Sequence, residues 1–328
     1  MPTQVTDSIY NIHIDLPGSP LKWLNCYVIK GGEGARNLVL DTGFNRPECT
    51  EALMKGLDTL DIRPEDTDVF LTHMHSDHVG NAGTLYKMGF HMYMSKTDYD
   101  RTCVAGDKLA GTFDFVIEQG MPEDEYREVS KYNPAVLFKS EYFDYTPVSD
   151  GDVLVYGDHE LECVYTPGHT PGHMCLYERK RKIMFLGDHV LFDITPNICA
   201  WPGEADSLGT YLDNLRRIAA YDVELALPAH RTDRGMTMYE RIDQLIRHHE
   251  FRLGEARKVV EENGEVTPYD AAARMTWRIK AKNWDDFPLS QKIFALGESQ
   301  AHLDYLSARG EIIQGTYPNG VIYYKSNG

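Results

Sequence analysis

Short apolar runs that stop at glycine or at polar residues recur along residues 1–236. IYNIHI alternates apolar and polar positions, as a strand with one buried face does, whereas NLVL, DVFL and KIMFLG are continuous apolar runs typical of buried strands. Apolar positions at helical spacing in RPECTEALMKGLDTL and SLGTYLDNLRRIAA predict helices between these strands. The pattern therefore predicts a mixed α/β domain over residues 1–236.

Two regions depart from this rhythm. Residues 96–150 are rich in Tyr, Phe, Asp and Glu and contain only short helix-like pieces such as MPEDEYREVSKY. An irregular stretch of this length inside a compact domain is typical of a lid or a binding loop. We therefore interpret residues 96–150 as a lid over a cleft.

Residues 237–328 read as helices followed by a hairpin. A long amphipathic segment runs from Met238 to Gly264, Thr267 and Pro268 form a helix start, and Asn319-Gly320 is a hairpin turn. This order predicts a small helical, winged-helix-like appendage. We expect it to wall the cleft or to form a homodimer contact.

Charge and composition exclude some functions. The net charge of −17 lies almost wholly in residues 1–236, which hold 21 basic and 37 acidic side chains against 12 and 13 in residues 237–328. Such a surface disfavours a nucleic-acid partner. No apolar run approaches the ~18 residues of a membrane span, the N-terminal segment has no signal-peptide pattern, and the six cysteines form no CxxC pair. We therefore expect a cytoplasmic protein without a membrane partner.

The stretch FLTHMHSDHVGN carries the first chemical signal. His73, His75, Asp77 and His78 lie within six consecutive positions directly after an apolar run. Imidazole nitrogens and carboxylate oxygens are the ligands that zinc, iron and manganese accept. Four such side chains at one strand end predict a metal site.

Further candidate ligands recur in the same setting. His169 follows a strand in CVYTPGHTPGH, Asp188 ends the apolar run IMFLGD, and His230 ends LALPAH. Together with the first stretch they provide five histidines and two carboxylates. That number is enough for two cations that share one carboxylate.

These motifs resemble those of the metallo-β-lactamase-fold hydrolases. HxHxDH, TPGHTPGH, GD and a late histidine occur in that family's order, and residues 238 onward resemble the tail of its β-lactamase-like and endoribonuclease branch. The resemblance implies an αββα sandwich with two divalent transition-metal ions, zinc ahead of iron and manganese. It assigns one ion to His73, His75 and His169, the other to Asp77, His78 and His230, and makes Asp188 their bridge.

The resemblance also implies a mechanism. A water held between two metal ions becomes a nucleophile near neutral pH, and Asp77 would accept and return its proton. Asp41 would orient the ligand loop. The candidate lid contacts are Tyr99, Phe113, Phe115 and Tyr142.

Three reactions fit this family resemblance. We favour hydrolysis of a small thioester, ester or lactone, as in glyoxalase II, because the main domain is acidic and the lid is aromatic. The alternatives are an endoribonuclease-like phosphodiesterase and an iron-dependent persulfide dioxygenase. A ligand-binding signalling protein with weak thioesterase activity is a fourth interpretation, which the full ligand set does not exclude.

Overall fold

The computed structural model describes residues 1–102, 109–279 and 281–327, in which two large β-sheets face each other. In this part of the chain the first sheet has seven strands, in sequence order. Its first four strands pair antiparallel and the remainder pair parallel. The strands are β1 (Thr3–Gln4), β2 (Ile9–Asp15), β3 (Trp23–Ile29), β4 (Asn37–Leu40), β5 (Thr67–Leu71), β6 (His91–Ser95) and β7 (Thr146–Val148).

The second sheet has five strands within the same described residues. They are β8 (Val153–Tyr156), β9 (His159–Tyr165), β10 (Met174–Glu178), β11 (Ile183–Gly187) and β12 (Leu225–Pro228). Their order is β12-β11-β10-β9-β8, and only the β11–β12 pair is parallel. A hairpin of β13 (Ile312–Thr316) and β14 (Ile322–Ser326) forms a separate two-stranded sheet.

Helices cover the outer faces of both sheets. Next to the first sheet lie α1 (Pro47–Thr59), the single turn α2 (Ser76–Val79), α3 (Ala82–Met88) and α4 (Lys96–Tyr99). The insert adds α5 (Leu109–Glu118), α6 (Glu123–Ser130) and α7 (Pro134–Leu137). Next to the second sheet lie α8 (Ser207–Ile218), α9 (Met238–Asn263), α10 (Pro268–Arg274) and α11 (Leu289–Ala308).

Three apolar clusters explain this layering. One lies between the sheets and joins Leu40 and Phe70 to Leu176 and Phe185. A second packs the outer face of the first sheet against α1 and α3, and a third packs the second sheet against α8 and the C-terminal helices. The expected αββα sandwich is therefore confirmed. No helix in the described ranges is long and apolar enough to cross a bilayer.

The C-terminal region shares its core with the second sheet. Buried residues of α9 and α11 such as Leu245 and Leu303 belong to the same cluster as Met184 of β11 and Leu212 of α8. Capping boxes at Thr237 and Thr267 start α9 and α10, the second at the position the sequence predicts. Residues 237–328 thus form the expected helices and hairpin, and α11 is their last helix.

The insert is more regular than expected. The described part of residues 96–150 contains the helices α4 to α7 and the strand β7. Val116 and Met121 of the insert pack with Leu296 of α11 in a small apolar cluster. The buried ammonium of Lys292 in α11 forms an ion pair with Glu125 of α6 at 2.5 Å. The insert is therefore fixed to the C-terminal region.

Candidate metal centre

The seven predicted ligands lie at the C-terminal ends of strands from both sheets. His73 and His75 follow β5, and Asp77 and His78 lie in α2. His169, Asp188 and His230 follow β9, β11 and β12. A bridge between Leu24 of β3 and His230 closes the two sheets at this edge. All seven side chains therefore meet where the sheets meet.

Within the described chain, three sets of these side chains have ligand atoms within 4.8 Å of one another. The sets are His73, His75 and His169; His73, His78 and Asp188; and Asp77, His78 and His230. All but His75 are buried, and His75 is partly exposed. The sequence prediction that these residues come together is thus met by the geometry, while their role as ligands remains a proposal.

Hydrogen bonds fix the direction of three of the imidazoles. His78 Nδ1 lies 2.8 Å from Asp41 Oδ2, His169 Nδ1 lies 2.8 Å from the carbonyl oxygen of Asn197, and His230 Nδ1 lies 2.8 Å from that of Trp23. Because carbonyl and carboxylate oxygens only accept, each Nδ1 must donate its proton. In a neutral imidazole the Nε2 atom then carries a lone pair.

When the imidazoles are neutral, these lone pairs point at nitrogen atoms of other candidate ligands. The lone pairs of His78 Nε2 and His230 Nε2 face each other at 3.2 Å, and the lone pair of His169 Nε2 faces His75 Nδ1 at 3.1 Å. Two lone pairs at this distance repel unless a proton or a cation lies between them. A divalent cation bound by both nitrogens removes the repulsion, so the donor set fits a metal ion.

The two carboxylates support the same fit. Asp77 Oδ2 and Asp188 Oδ1 are buried and have no hydrogen-bond partner among the described residues. Asp77 Oδ2 lies 3.2 Å from His230 Nε2, which has no proton to donate in the neutral tautomer. An uncompensated buried carboxylate is costly, and a bound cation compensates it.

Burial keeps three of the imidazoles neutral, whereas the carboxylates favour positive charge at His78. Burial lowers the pKa of His75 and His169 to about 4, and it also places the pKa of His73 well below its ordinary value. Burial lowers the pKa of His78 too, but the carboxylates of Asp41, Asp77 and Asp188 outweigh it and raise that pKa to about 10. The same carboxylates stabilise positive charge at this position.

Asp41 holds the ligand loop from behind. Its Oδ1 accepts the backbone N–H of Thr72 at 2.9 Å, and its Oδ2 accepts His78 Nδ1–H. The Thr72 hydroxyl bonds the same carboxylate and lies 3.0 Å from His73 Nδ1. Asp41 therefore orients one candidate ligand directly and a second through Thr72.

Sequence reasoning missed Asp98, which joins two ligand loops. Its buried carboxylate accepts the N–H of Met74 at 2.9 Å, the hydroxyl of Thr170 at 2.6 Å and the N–H of Gly172 at 2.5 Å. Met74 lies between His73 and His75, and Thr170 follows His169. The only sequence signal was the pattern Ser-x-x-Asp after β6, in which Ser95 caps α4.

Trp201, which the sequence did not indicate either, flanks the same ligands. The ring centroid of Trp201 lies 6.2 Å from that of His75, and its Nε1–H donates to the carbonyl of His169 at 3.2 Å. The indole is partly exposed. It therefore gives the exposed side of His75 an apolar neighbour.

His173 and His189, which adjoin the ligand motifs in sequence, also lie close to the ligands. His173 Nε2 accepts the backbone N–H of Asp188 at 3.0 Å, so it supports the candidate bridge. Gly187 has a φ of 50°, and a Cβ there would lie 2.5 Å from His173 Nε2. Glycine is required at this strand end because a larger residue would displace His173. Both nitrogens of His189 are buried without a partner among the described residues.

The four candidate lid residues make their contacts outside the ligand cluster. Tyr99 stacks on Tyr145 with centroids 3.8 Å apart, and Phe113 packs edge-on against Tyr126. Phe115 packs on the core of the second sheet, and Tyr142 is 62% exposed. Their contact with a substrate remains a prediction.

Comparisons with known proteins agree with this geometry. Residues 24–230 match the family model of the metallo-beta-lactamase superfamily. Curated relatives include an uncharacterized protein of Aquifex aeolicus, 27% identical over 53% of this chain, and an atrochrysone carboxyl ACP thioesterase of Emericella nidulans, 26% identical over 64% of this chain. These alignments span 68% and 52% of the respective relatives, so the chain matches only about half of the thioesterase.

Solved structures show the same fold along the full chain. A metallo-beta-lactamase family protein of Thermus thermophilus superposes with a TM-score of 0.81 at 23% identity, over 99% of this chain and 100% of its own. A beta-lactamase domain protein of Burkholderia ambifaria gives a TM-score of 0.79 at 23% identity, over 99% and 94%. The chain belongs to the metallo-beta-lactamase superfamily and is a hydrolase, and its fold implies divalent metal ions.

Proposed function

We propose that this protein hydrolyses a small carbonyl substrate, a thioester in preference to an ester or lactone, with two divalent metal ions. His73, His75 and His169 would hold one ion, Asp77, His78 and His230 the other, and Asp188 would contact both. Zinc is our first choice of metal, ahead of iron and manganese, because the set is rich in imidazole.

The position of Asp188 is the observation that carries the proposal of two ions. Its Oδ2 lies 3.6 Å from His169 Nε2, in the first ligand set. Its Oδ1 lies 3.6 Å from His78 Nε2 and 3.4 Å from His230 Nε2, in the second set. A carboxylate that directs one oxygen to each set is arranged as a bridge.

Bound divalent ions of this kind polarise a carbonyl oxygen and bring the pKa of water close to neutrality. Side chains of the protein would transfer the proton and exclude water. Asp77 Oδ2, buried and without a hydrogen-bond partner among the described residues, would take the proton of the attacking water and return it to the leaving sulfur. Trp201 would exclude water from the exposed side of His75.

Two observations favour a thioester. The relative in Emericella nidulans is named a thioesterase, and it aligns over 209 residues. The net charge of residues 1–236 is −16, which disfavours a polyanionic RNA substrate at this cleft. The endoribonuclease and persulfide dioxygenase interpretations have no comparable support in the described structure.

A substrate panel with a matched pair of variants tests the proposal. Acyl thioesters, a lactone, single-stranded RNA and glutathione persulfide would be assayed with purified protein of measured metal content. Asp77→Asn should lower kcat on the thioester by about 10²- to 10⁴-fold, because a general base typically contributes that much. Asp124→Asn, an exposed change in the first turn of α6, should leave kcat unaltered.

Other outcomes would contradict the proposal. RNA cleavage that weakens steeply with salt, without thioester turnover, would favour the phosphodiesterase. Oxygen consumption with the persulfide that requires iron would favour the dioxygenase. Full thioester activity in Asp77→Asn would remove that residue from the proton transfer.

A further inference from the structure

Three basic side chains form a row on one face of α9. Arg241, His248 and Arg252 are separated by seven and four residues, which correspond to nearly whole helical turns. The row therefore extends about 16 Å along the helix at 1.5 Å per residue. Together with the neighbouring Arg278 these residues are called the basic stripe. It lies in residues 237–328, in which 12 basic and 13 acidic side chains nearly balance.

Arg241 is a buried cation without a carboxylate partner. Its Nε donates to the carbonyl of Leu191 at 2.6 Å, its Nη2 to that of Ile194 at 2.9 Å, and its Nη1 to Gln244 Oε1 at 3.1 Å. Within the described residues, no carboxylate lies within ion-pair distance of this guanidinium. Asp193, the acidic residue of the adjoining segment, pairs with Arg231 and Arg234 instead.

Arg252 places residues 276–278 beside α9. Its Nη1 donates to the carbonyl of Thr276 at 2.6 Å, and its guanidinium carbon lies 4.2 Å from the ring centroid of Trp277. Arg278 comes next in the chain, is exposed, and forms neither an ion pair nor a hydrogen bond with any residue that the structure describes. Arg278 is therefore available to an external anion.

The charges of the stripe do not cancel. Arg252 pairs with Glu255 and Glu298, whereas Arg241 and Arg278 lack acidic partners among the described residues. The pKa of His248 is lowered to about 4 by burial and then by Arg252, Arg278 and Arg241, so its imidazole is neutral at pH 7. Three guanidinium groups thus face two carboxylates, and Arg252 Nη2 is buried without a partner in the described structure. The stripe is a region of positive potential.

The stripe lies one chain segment from the metal centre. Leu191 and Ile194, which bind Arg241, belong to the segment that follows Asp188. Asn197 of the same segment accepts the proton of His169 Nδ1 at 2.8 Å, and its side chain bonds Glu298, the partner of Arg252. Hydrogen bonds from Arg252 to Glu298, from Asn197 to Glu298 and from His169 to Asn197 therefore connect the stripe with the metal centre.

We infer that the basic stripe is a subsite for an anionic group, a carboxylate or a phosphate, carried by the substrate of the metal centre. Arg278 would bind the anion directly, and Arg241 and Arg252 would supply the surrounding positive charge. This assignment rests on the proposed thioester hydrolysis, and it gives that substrate a negative charge. The described structure offers the carboxylate and the phosphate the same donors, so the test must separate them.

Kinetics with three thioesters distinguish a substrate that carries a carboxylate from one that carries a phosphate. Acetyl-N-acetylcysteamine is neutral, succinyl-N-acetylcysteamine carries a carboxylate on its acyl part, and acetyl-coenzyme A carries phosphates on its leaving group. Arg278→Ala should raise KM for one or both anionic substrates on the order of tenfold, since a hydrogen bond to a charged group contributes about that much. KM for the neutral substrate and every kcat should stay within twofold.

Arg247→Ala is the matched control. Arg247 is an exposed arginine on the same helix, about 100° away from His248 around the axis, and it forms no ion pair in the described residues. This variant should have unaltered KM for all three thioesters. If Arg278→Ala raised KM equally for the neutral and the anionic substrates, or raised KM for none of them, the proposed subsite would be wrong.

A binding measurement keeps the inference testable if thioester hydrolysis itself is wrong. Equilibrium dialysis of the full chain with succinate and with desulfo-coenzyme A, which lacks the thiol, needs no turnover. Binding of either probe that weakens about tenfold in Arg278→Ala but not in Arg247→Ala supports the subsite. Equal binding in both variants, absence of binding, or an Arg278-dependent affinity for single-stranded RNA alone would overturn it.

Discussion

The side-chain amide of Asn197 donates a hydrogen bond to Glu298 Oε2 at 3.0 Å, across 101 positions of sequence. The backbone carbonyl of Asn197 accepts the Nδ1 proton of His169, and Glu298 Oε1 accepts Arg252 Nε–H at 3.2 Å. Glu298 is a residue of α11 and Arg252 a residue of α9. The C-terminal helices therefore help to orient a candidate metal ligand that lies in the main sandwich.

This relationship predicts that Glu298→Gln weakens metal binding. Glutamine keeps one acceptor but must direct its NH₂ group at a donor, either Asn197 or Arg252. We expect affinity for the ion at His169 to fall about 10- to 100-fold, as loss of a supporting residue behind a ligand typically does. Competition with a chelator measures this metal affinity. Glu255→Gln, which also removes a partner of Arg252 but does not contact Asn197, should retain wild-type affinity.

Asp98→Ala should destabilise the fold and the metal centre together. The change leaves the buried N–H groups of Met74 and Gly172 without an acceptor. At about 1–3 kcal/mol for each of the two unsatisfied groups, the free energy of unfolding should fall by about 2–6 kcal/mol. Urea denaturation measures this fall, with the exposed change Asp144→Ala as the control. A fall below 0.5 kcal/mol, roughly the scatter of surface substitutions, would show that the two loops are held by other contacts.

The contrast between Asp188 and Glu298 explains which features the sequence could predict. Asp188, like the other six ligands, follows an apolar strand, and the ends of neighbouring strands meet in space. Local chemistry also predicted the cap at Thr267, because its partner Asp270 lies three residues away. Glu298 and Asp98 act across 101 and 72 positions, so their roles depend on how helices and loops pack. Apolar periodicity carries no information about such pairs.

Removal of residues 237–328 should prevent the remainder from folding as a monodisperse protein. Leu245, Leu303 and Leu306 are fully buried in the cluster that covers α8 and the second sheet. Each large apolar side chain contributes about 1.5–3 kcal/mol when buried, and its loss also exposes the facing residues. A chain ending at residue 236 should aggregate or bind a hydrophobic dye during gel filtration. A soluble, active product with unchanged oligomeric state would show that this region is an independent appendage.

Asp188→Ala and His230→Ala should differ in the number of metal ions they lose. Asp188 directs one oxygen to His169 and the other to His78 and His230, so its removal takes a ligand atom from both sets. His230 contributes to only one set, and its Nδ1 proton is held by the carbonyl of Trp23. After dialysis, the wild type should retain about two equivalents of metal per chain. His230→Ala should retain about one equivalent, and Asp188→Ala almost no metal.

The control for this comparison is His91→Ala, which removes a half-exposed histidine of β6 that belongs to none of the three ligand sets. It should keep the wild-type metal content. Circular dichroism on the same samples separates loss of metal from loss of fold, because a variant with native ellipticity and no metal has lost ligands alone. If Asp188→Ala kept two ions in anomalous diffraction, each set would be complete without it. The carboxylate would then be a neighbour of the metal centre, and the two sets would function as independent sites.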